Sequence, residues 1–214
     1  MSRHTKVNQP KTNKNKREAG VERESREINK FDSWLLCFFK VKIYYRQIRI
    51  FASNAANKKE MIEIINNQRK IKIKVEDFQE YAGKVIKTIP AANGKTATVA
   101  FVSDKKMREL NKSFRGKNST TDVLSFPFEA EEFEKLSEPS ALADGYFGED
   151  DLGDIIISVE QAKKQAEENN FDFETEIKQL ILHGILHLCG YDHQRDAGEM
   201  NELELQFRDK LGIK

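Results

Sequence analysis

Disulfides, membrane spans and internal repeats are all missing from this sequence. Only two of its 214 residues are cysteine, Cys37 and Cys189. That is too few for a disulfide framework and points to a reducing compartment, so a cytoplasmic location is expected. No stretch approaches 18 uninterrupted apolar residues, so no membrane span is expected. Hydrophobic residues are also sparse at 38%, low for a chain that packs along its whole length. Net charge is nearly absent, at +1 from 36 basic and 35 acidic side chains. That balance conceals a split. Residues 1–70 hold 17 basic and 7 acidic side chains, a net of +10, whereas 71–214 hold 19 and 28, a net of −9. The asymmetry describes a basic arm joined to an acidic body.

The first 30 residues contain almost nothing to bury and are expected to be disordered. Residues 31–51, FDSWLLCFFKVKIYYRQIRIF, are aromatic and apolar but broken by Lys40, Lys42, Arg46 and Arg49. A secretory signal needs an earlier apolar run and a small-residue cleavage site, and neither is clean here. The segment has three readings: a transit peptide, a membrane-surface helix, or an appendage without a function of its own. Residues 1–60 are therefore assigned to an extension, and 61–214 to a single domain.

From Met61 the texture changes. Ile62 and Ile64, then Ile71, Ile73 and Val75, alternate as two short strands. Phe78, Tyr81, Ala82, Val85, Ile86 and Ile89 recur at helical spacing up to Pro90. Residues 96–103 predict a strand, and Ser103 or Asp104 then caps a helix carrying Met107, Leu110, Asn111 and Phe114 on one side. Residues 122–128 predict a strand that Pro127 confines to an edge or an end. Residues 129–151 hold nine acids and one lysine and are expected to be a solvated loop. A buried strand at 153–158 leads through a Ser158/Gln161 capping box into a helix over 159–169. Asp172 caps a helix over about 174–189 that Gly190 ends. Met200, Leu203, Phe207 and Leu211 stripe a last helix ending at Gly212. The pattern predicts an α/β (α+β) domain.

Three of the four histidines fall within eleven residues, in His183-Gly-Ile-Leu-His187-Leu-Cys-Gly-Tyr-Asp-His193. His183 and His187, at i and i+4, stack on one helix face and suit a single metal ion. Gly190 lets the chain turn back so that His193 closes a third corner. Three imidazoles with one open position are the layout of a catalytic zinc site, whereas structural sites usually supply four protein ligands. Cys189 is a possible fourth ligand, but a thiol at the end of an apolar helix reads better as buried and structural. The spacing is that of the metzincin proteases, which place a general-base Glu directly after the first His. Here that position is Gly184, so a peptidase would lack its base.

Three blocks, LNKSFRGKNSTTDVLSFPFE (110–129), LGDIIIS (152–158) and HGILHLCGYDH (183–193), together resemble the YbeY-like rRNA maturation factors, zinc-dependent single-strand endoribonucleases of bacteria. The similarity extends over 61–214. The resemblance implies a small mixed sheet flanked by helices with a zincin-like three-histidine site. It implies one zinc per chain, held by His183, His187 and His193. It places the family's basic active-site residue on Arg115 and the Asp of its LGD block on Asp154. It further implies late processing of the 3′ end of small-subunit rRNA and ribosome quality control. Single-stranded precursor rRNA and the small ribosomal subunit or its assembly factors are the implied partners.

The chemistry is coherent without the name. Phosphodiester cleavage requires stabilised charge on the non-bridging oxygens, which a Lewis-acidic metal and a bidentate guanidinium both supply. Arg115 is read either as that guanidinium or as a helix C-cap. Asp154 is read as orienting a histidine, as contacting a partner, or as closing a strand-entry turn. Asp192 reads as a turn former, Tyr191 as core or as a base-stacking ring. No side chain identifies itself as the general base, and a metal-activated water is one answer. One feature opposes RNA binding: the net −9 of the body, where a basic footprint is the norm. Lys105, Lys106, Arg108, Lys112, Arg115 and Lys117 form its only dense basic run, either a substrate patch or a solvated helix face. The rival reading is a non-catalytic assembly or RNA-binding factor whose metal stabilises the fold.

Overall fold

Ile62 and Ile64, in the sequence IEIIN, open the sheet in a computed structural model that describes residues 61–128, 150–192 and 198–213. Expectations for residues 1–60, for most of the acidic segment 129–151 and for His193 fall outside those residues. In chain order the described elements are β1 (Ile62–Asn66), α1 (Val75–Thr88), β2 (Thr96–Val102), α2 (Asp104–Arg115) and β3 (Val123–Pro127). They continue with β4 (Asp151–Ser158), α3 (Val159–Asn169), α4 (Phe173–Leu188) and α5 (Glu199–Leu211). The strands form one sheet in the order β1-β2-β4-β3. β1, β2 and β4 run parallel, and β3 is antiparallel to β4. The sheet is small and mixed, as expected.

Both edges have a sequence cause. Pro127 is the last residue of edge strand β3, where a residue without an N–H is tolerated. At the other edge Gln79 of α1 acts in place of a further strand. Its amide oxygen accepts from the Ile64 N–H at 3.0 Å, and its NH₂ donates to the Ile62 carbonyl. The expected second strand over 71–75 does not form, and α1 begins at Val75. Gln68 explains the difference. Its amide oxygen accepts from Lys70 N (2.7 Å) and Ile71 N (2.9 Å), and its NH₂ donates to Ile71 O (2.8 Å). Backbone groups held by a side chain need no neighbouring strand, and Ile71, Ile73 and Val75 still pack against the core.

The sheet has two covered faces. Val99, Phe101, Ile155 and Ile157 join the core built with Phe78, Val85 and Ile86 of α1 and Ile177, Ile181 and Ile185 of α4. The alternate residues Ala100, Val102, Ile156 and Leu124 point to the other face, which α2 covers with Met107 and Leu110. Asp104 anchors α2 there, accepting from Ser158 Oγ at 2.6 Å and Gln161 Nε2 at 2.8 Å. Helix α4 is central and packs against α1, α3, α5, β3 and β4.

Gly184 sets how closely α4 lies on the sheet. A Cβ at this position would meet the Ile155 side chain at 2.8 Å. The position next to the first histidine is thus spent on the helix–sheet contact, and a glutamate there would be driven into β4. Gly153 is equally constrained: at φ +120°, a Cβ would lie 2.1 Å from the Phe126 carbonyl oxygen. That close approach lets β3 pair alongside the Leu-Gly-Asp block.

Candidate functional site

Helix α4 begins at Asp172, whose carboxylate accepts from Thr175 N at 2.8 Å, and carries Glu174 and Glu176 in its first turn. Both features favour the positive helix start. At the far end Gly190, at φ +91°, closes a Schellman turn. Gly190 N bonds the His187 carbonyl at 3.0 Å, and Tyr191 N bonds the Leu186 carbonyl at 3.2 Å. Between these ends His183 and His187 stand one turn apart. Their ring centroids are 4.6 Å apart at 83°, and their Nε2 atoms face each other at 3.1 Å. The His183 side chain is 26% exposed, so the pair opens to solvent.

The other ring nitrogens are engaged. The Schellman turn returns the Tyr191 carbonyl to His187 Nδ1 at 2.9 Å. Glu204 of α5 places Oε2 3.1 Å from His183 Nδ1, while its Oε1 accepts from Arg208 Nη2 at 2.5 Å. Burial pushes the Glu204 carboxyl up, but its hydrogen bonds to His183 and Arg208 outweigh that and hold it below its ordinary range. A carbonyl and a carboxylate only accept, so each Nδ1 carries the hydrogen and each Nε2 of a neutral ring keeps a lone pair. Two such lone pairs 3.1 Å apart call for a proton or a metal ion between them. Two nitrogens each about 2.0–2.1 Å from one zinc stand about 3.0–3.5 Å apart. The donor set fits a metal ion.

Sequence reasoning missed Glu204 and the Tyr191 carbonyl. Glu204 had a signal: it interrupts the apolar stripe of Met200, Leu203 and Phe207, and a buried carboxylate requires a partner. The Tyr191 carbonyl had none, because a backbone acceptor is invisible in residue identities. Glu204→Ala is expected to lower zinc affinity by roughly 10–100-fold, with Glu204→Gln recovering part of it through its amide oxygen. Competition with a chromophoric chelator measures both, and unchanged affinity in Glu204→Ala would mean that the contact does not orient the ring.

The remaining expected residues divide. His193 lies outside the described residues, and among the described residues no three His, Cys, Asp or Glu side chains group as a metal site. Cys189 is half-buried at the end of α4. Burial pushes its thiol up, Lys95 only partly offsetting this, which leaves it protonated and inert. Tyr191 packs against the core. Asp154 pairs with Phe126 in β3 and alternates with Ile155, which meets Gly184. Its side chain therefore belongs to the α2 face of the sheet. Arg115, the last residue of α2, is exposed beside Phe114, whose ring packs edge-on against Phe126 with centroids 4.8 Å apart.

Fold and site together define an α/β domain in which one helix, laid across a small mixed sheet, presents two facing imidazoles. Over residues 63–212 the sequence matches the family described as endoribonuclease YbeY, and the chain belongs to that family. The endoribonuclease YbeY of Thermodesulfovibrio yellowstonii is 35% identical over 166 residues, covering 70% of this chain and 96% of the relative. That of Caldanaerobacter subterraneus subsp. tengcongensis is 42% identical over 120 residues, covering 55% and 74%. A solution structure of a Thermotoga maritima protein is 28% identical, covers 71% of this chain and 89% of its own, and superposes with a TM-score of 0.48. Among the described residues no helix is long and apolar enough to cross a membrane.

Proposed function

We propose that this chain is a zinc-dependent endoribonuclease that cuts single-stranded precursor rRNA during maturation of the small ribosomal subunit. The observation that carries the reading is the pair of Nε2 atoms facing each other at 3.1 Å. In this reading His183, His187 and His193 hold one zinc per chain. When bound, the metal supplies Lewis acidity to the scissile phosphate at a coordination position that three ligands leave open. Glu204 and the Tyr191 carbonyl fix both rings with Nδ1 protonated, so that the Nε2 lone pairs are already aimed before metal arrives. Arg115 offers the phosphate a two-pronged set of N–H donors. Among the described residues its guanidinium has no hydrogen-bond or ion-pair partner to surrender. Asp154, whose side chain lies on the α2 face of the sheet, contacts a protein partner on the ribosome.

The experiment compares one RNA sequence presented single-stranded and as a duplex to nuclease-free protein, before metal removal, after it, and after zinc return. Cleavage of the single strand alone, lost and regained with zinc, is the expected result. Tight zinc and RNA binding without cleavage would instead identify an assembly factor with a structural metal.

A further inference from the structure

The body of this protein repels RNA overall, with its net charge of −9 over 71–214, so a nuclease reading requires a local basic surface. Helix α2 carries five cations, whereas none of the other four described helices has more than two. Lys105, Arg108, Lys112 and Arg115 recur at i, i+3, i+7 and i+10, and all four are exposed. They form one stripe about 15 Å long on the side of α2 away from Met107 and Leu110. The acids of the helix are spent elsewhere. Asp104 faces inward to Ser158 and Gln161, and Glu109 pairs with Lys106 at 3.6 Å. Among the described residues the four stripe cations have no hydrogen-bond or ion-pair partner.

We propose that Lys105, Arg108 and Lys112 form the track along which the backbone of a single-stranded RNA lies, delivering its phosphate to Arg115. The proposal rests on the nuclease reading above and names the surface that holds its substrate. Charge complementarity selects the occupant. Unpaired cations in a row on an otherwise acidic body gain most from a polyphosphate chain, because each neutralised phosphate releases counterions. The stripe also ends at the residue assigned to the reacting phosphate, so binding and positioning share one helix.

The test is a triple variant, Lys105→Gln/Arg108→Gln/Lys112→Gln, in the full chain, with zinc content and unfolding measured alongside. Binding of a labelled, unstructured oligoribonucleotide is followed from 50 to 200 mM salt. Each contact to a single strand contributes about 0.7 to the slope of log affinity against log salt. Three contacts make the wild type about twentyfold more salt-sensitive than the variant over that range. An unchanged salt slope in a folded, zinc-loaded variant overturns the proposal and leaves the stripe to a protein partner or to solvent. A wild type that neither binds nor cleaves RNA defeats the nuclease reading itself, so the two failures are separable.

Discussion

His187→Ala is expected to remove zinc and RNA cleavage together without unfolding the protein. Apparent zinc-binding free energies of roughly 10–16 kcal/mol over four ligands put one ligand at about 2.5–4 kcal/mol. That is a loss of roughly 10²–10³ in affinity. The size of the stability change separates a ligand from an ordinary core histidine. In metal-free protein the facing Nε2 atoms of His183 and His187, 3.1 Å apart, can share a proton, and His187 Nδ1 bonds the Tyr191 carbonyl at 2.9 Å. Metal-free His187→Ala is therefore expected to lie within about 1–2 kcal/mol of metal-free wild type. Zinc at a thousandfold excess over the wild-type dissociation constant should stabilise the wild type by about 4 kcal/mol and the variant by only about 0.4–1.4 kcal/mol. Denaturant unfolding with and without zinc gives all four values. A metal-free variant several kcal/mol below metal-free wild type would show that the ring serves packing.

Arg115→Ala is expected to lower single-turnover cleavage by roughly 10²–10³, the usual effect of losing one preorganised charge-stabilising donor, while zinc content stays at the wild-type level. Arg115→Lys should recover only part, since an ammonium keeps the charge but lacks the guanidinium fork. The competing role, a helix C-cap, predicts a stability loss of roughly 0.3–1 kcal/mol and full activity per folded molecule. The structure bears on that choice. The end of α2 is closed by backbone: Gly116, at φ +69°, donates its N–H to the Lys112 carbonyl at 3.1 Å, and Lys117 N reaches Asn111 O at 3.3 Å. Asn111 Nδ2 ties the following loop at Ser119 O, 2.8 Å. With those carbonyls already satisfied, the guanidinium is available to a ligand. Equal cleavage per folded molecule in wild type and Arg115→Ala would remove Arg115 from the reaction.

What could be read in the sequence was whatever local chemistry decides. Ser103, Ser158 and Asp172 each cap the helix that follows them, because a short polar side chain before an apolar-periodic segment has one low-energy use. Pro127 forecast an edge or an end and sits at both. The i, i+4 spacing of His183 and His187 forecast two rings on one face. What could not be read depends on contacts between distant segments. Gln68 and Gln79 replace a strand with side-chain amides, and alternation alone cannot distinguish that from a ladder. Glu204 reaches His183 from 21 residues away. Gly184 departs from the protease pattern because of Ile155 on β4, a packing cause that its own neighbours in sequence do not reveal.

The central claim is that metal held at the paired histidines carries out the cleavage, and a stoichiometric titration tests it most directly. Zinc is added in steps to metal-stripped protein, and the initial rate on a labelled single-stranded RNA is recorded at each step. The account predicts a rate that starts at background, rises linearly and breaks sharply at one zinc per chain, with no rise in His187→Ala. Full cleavage by the metal-free protein, or a rate that ignores added zinc, would contradict it.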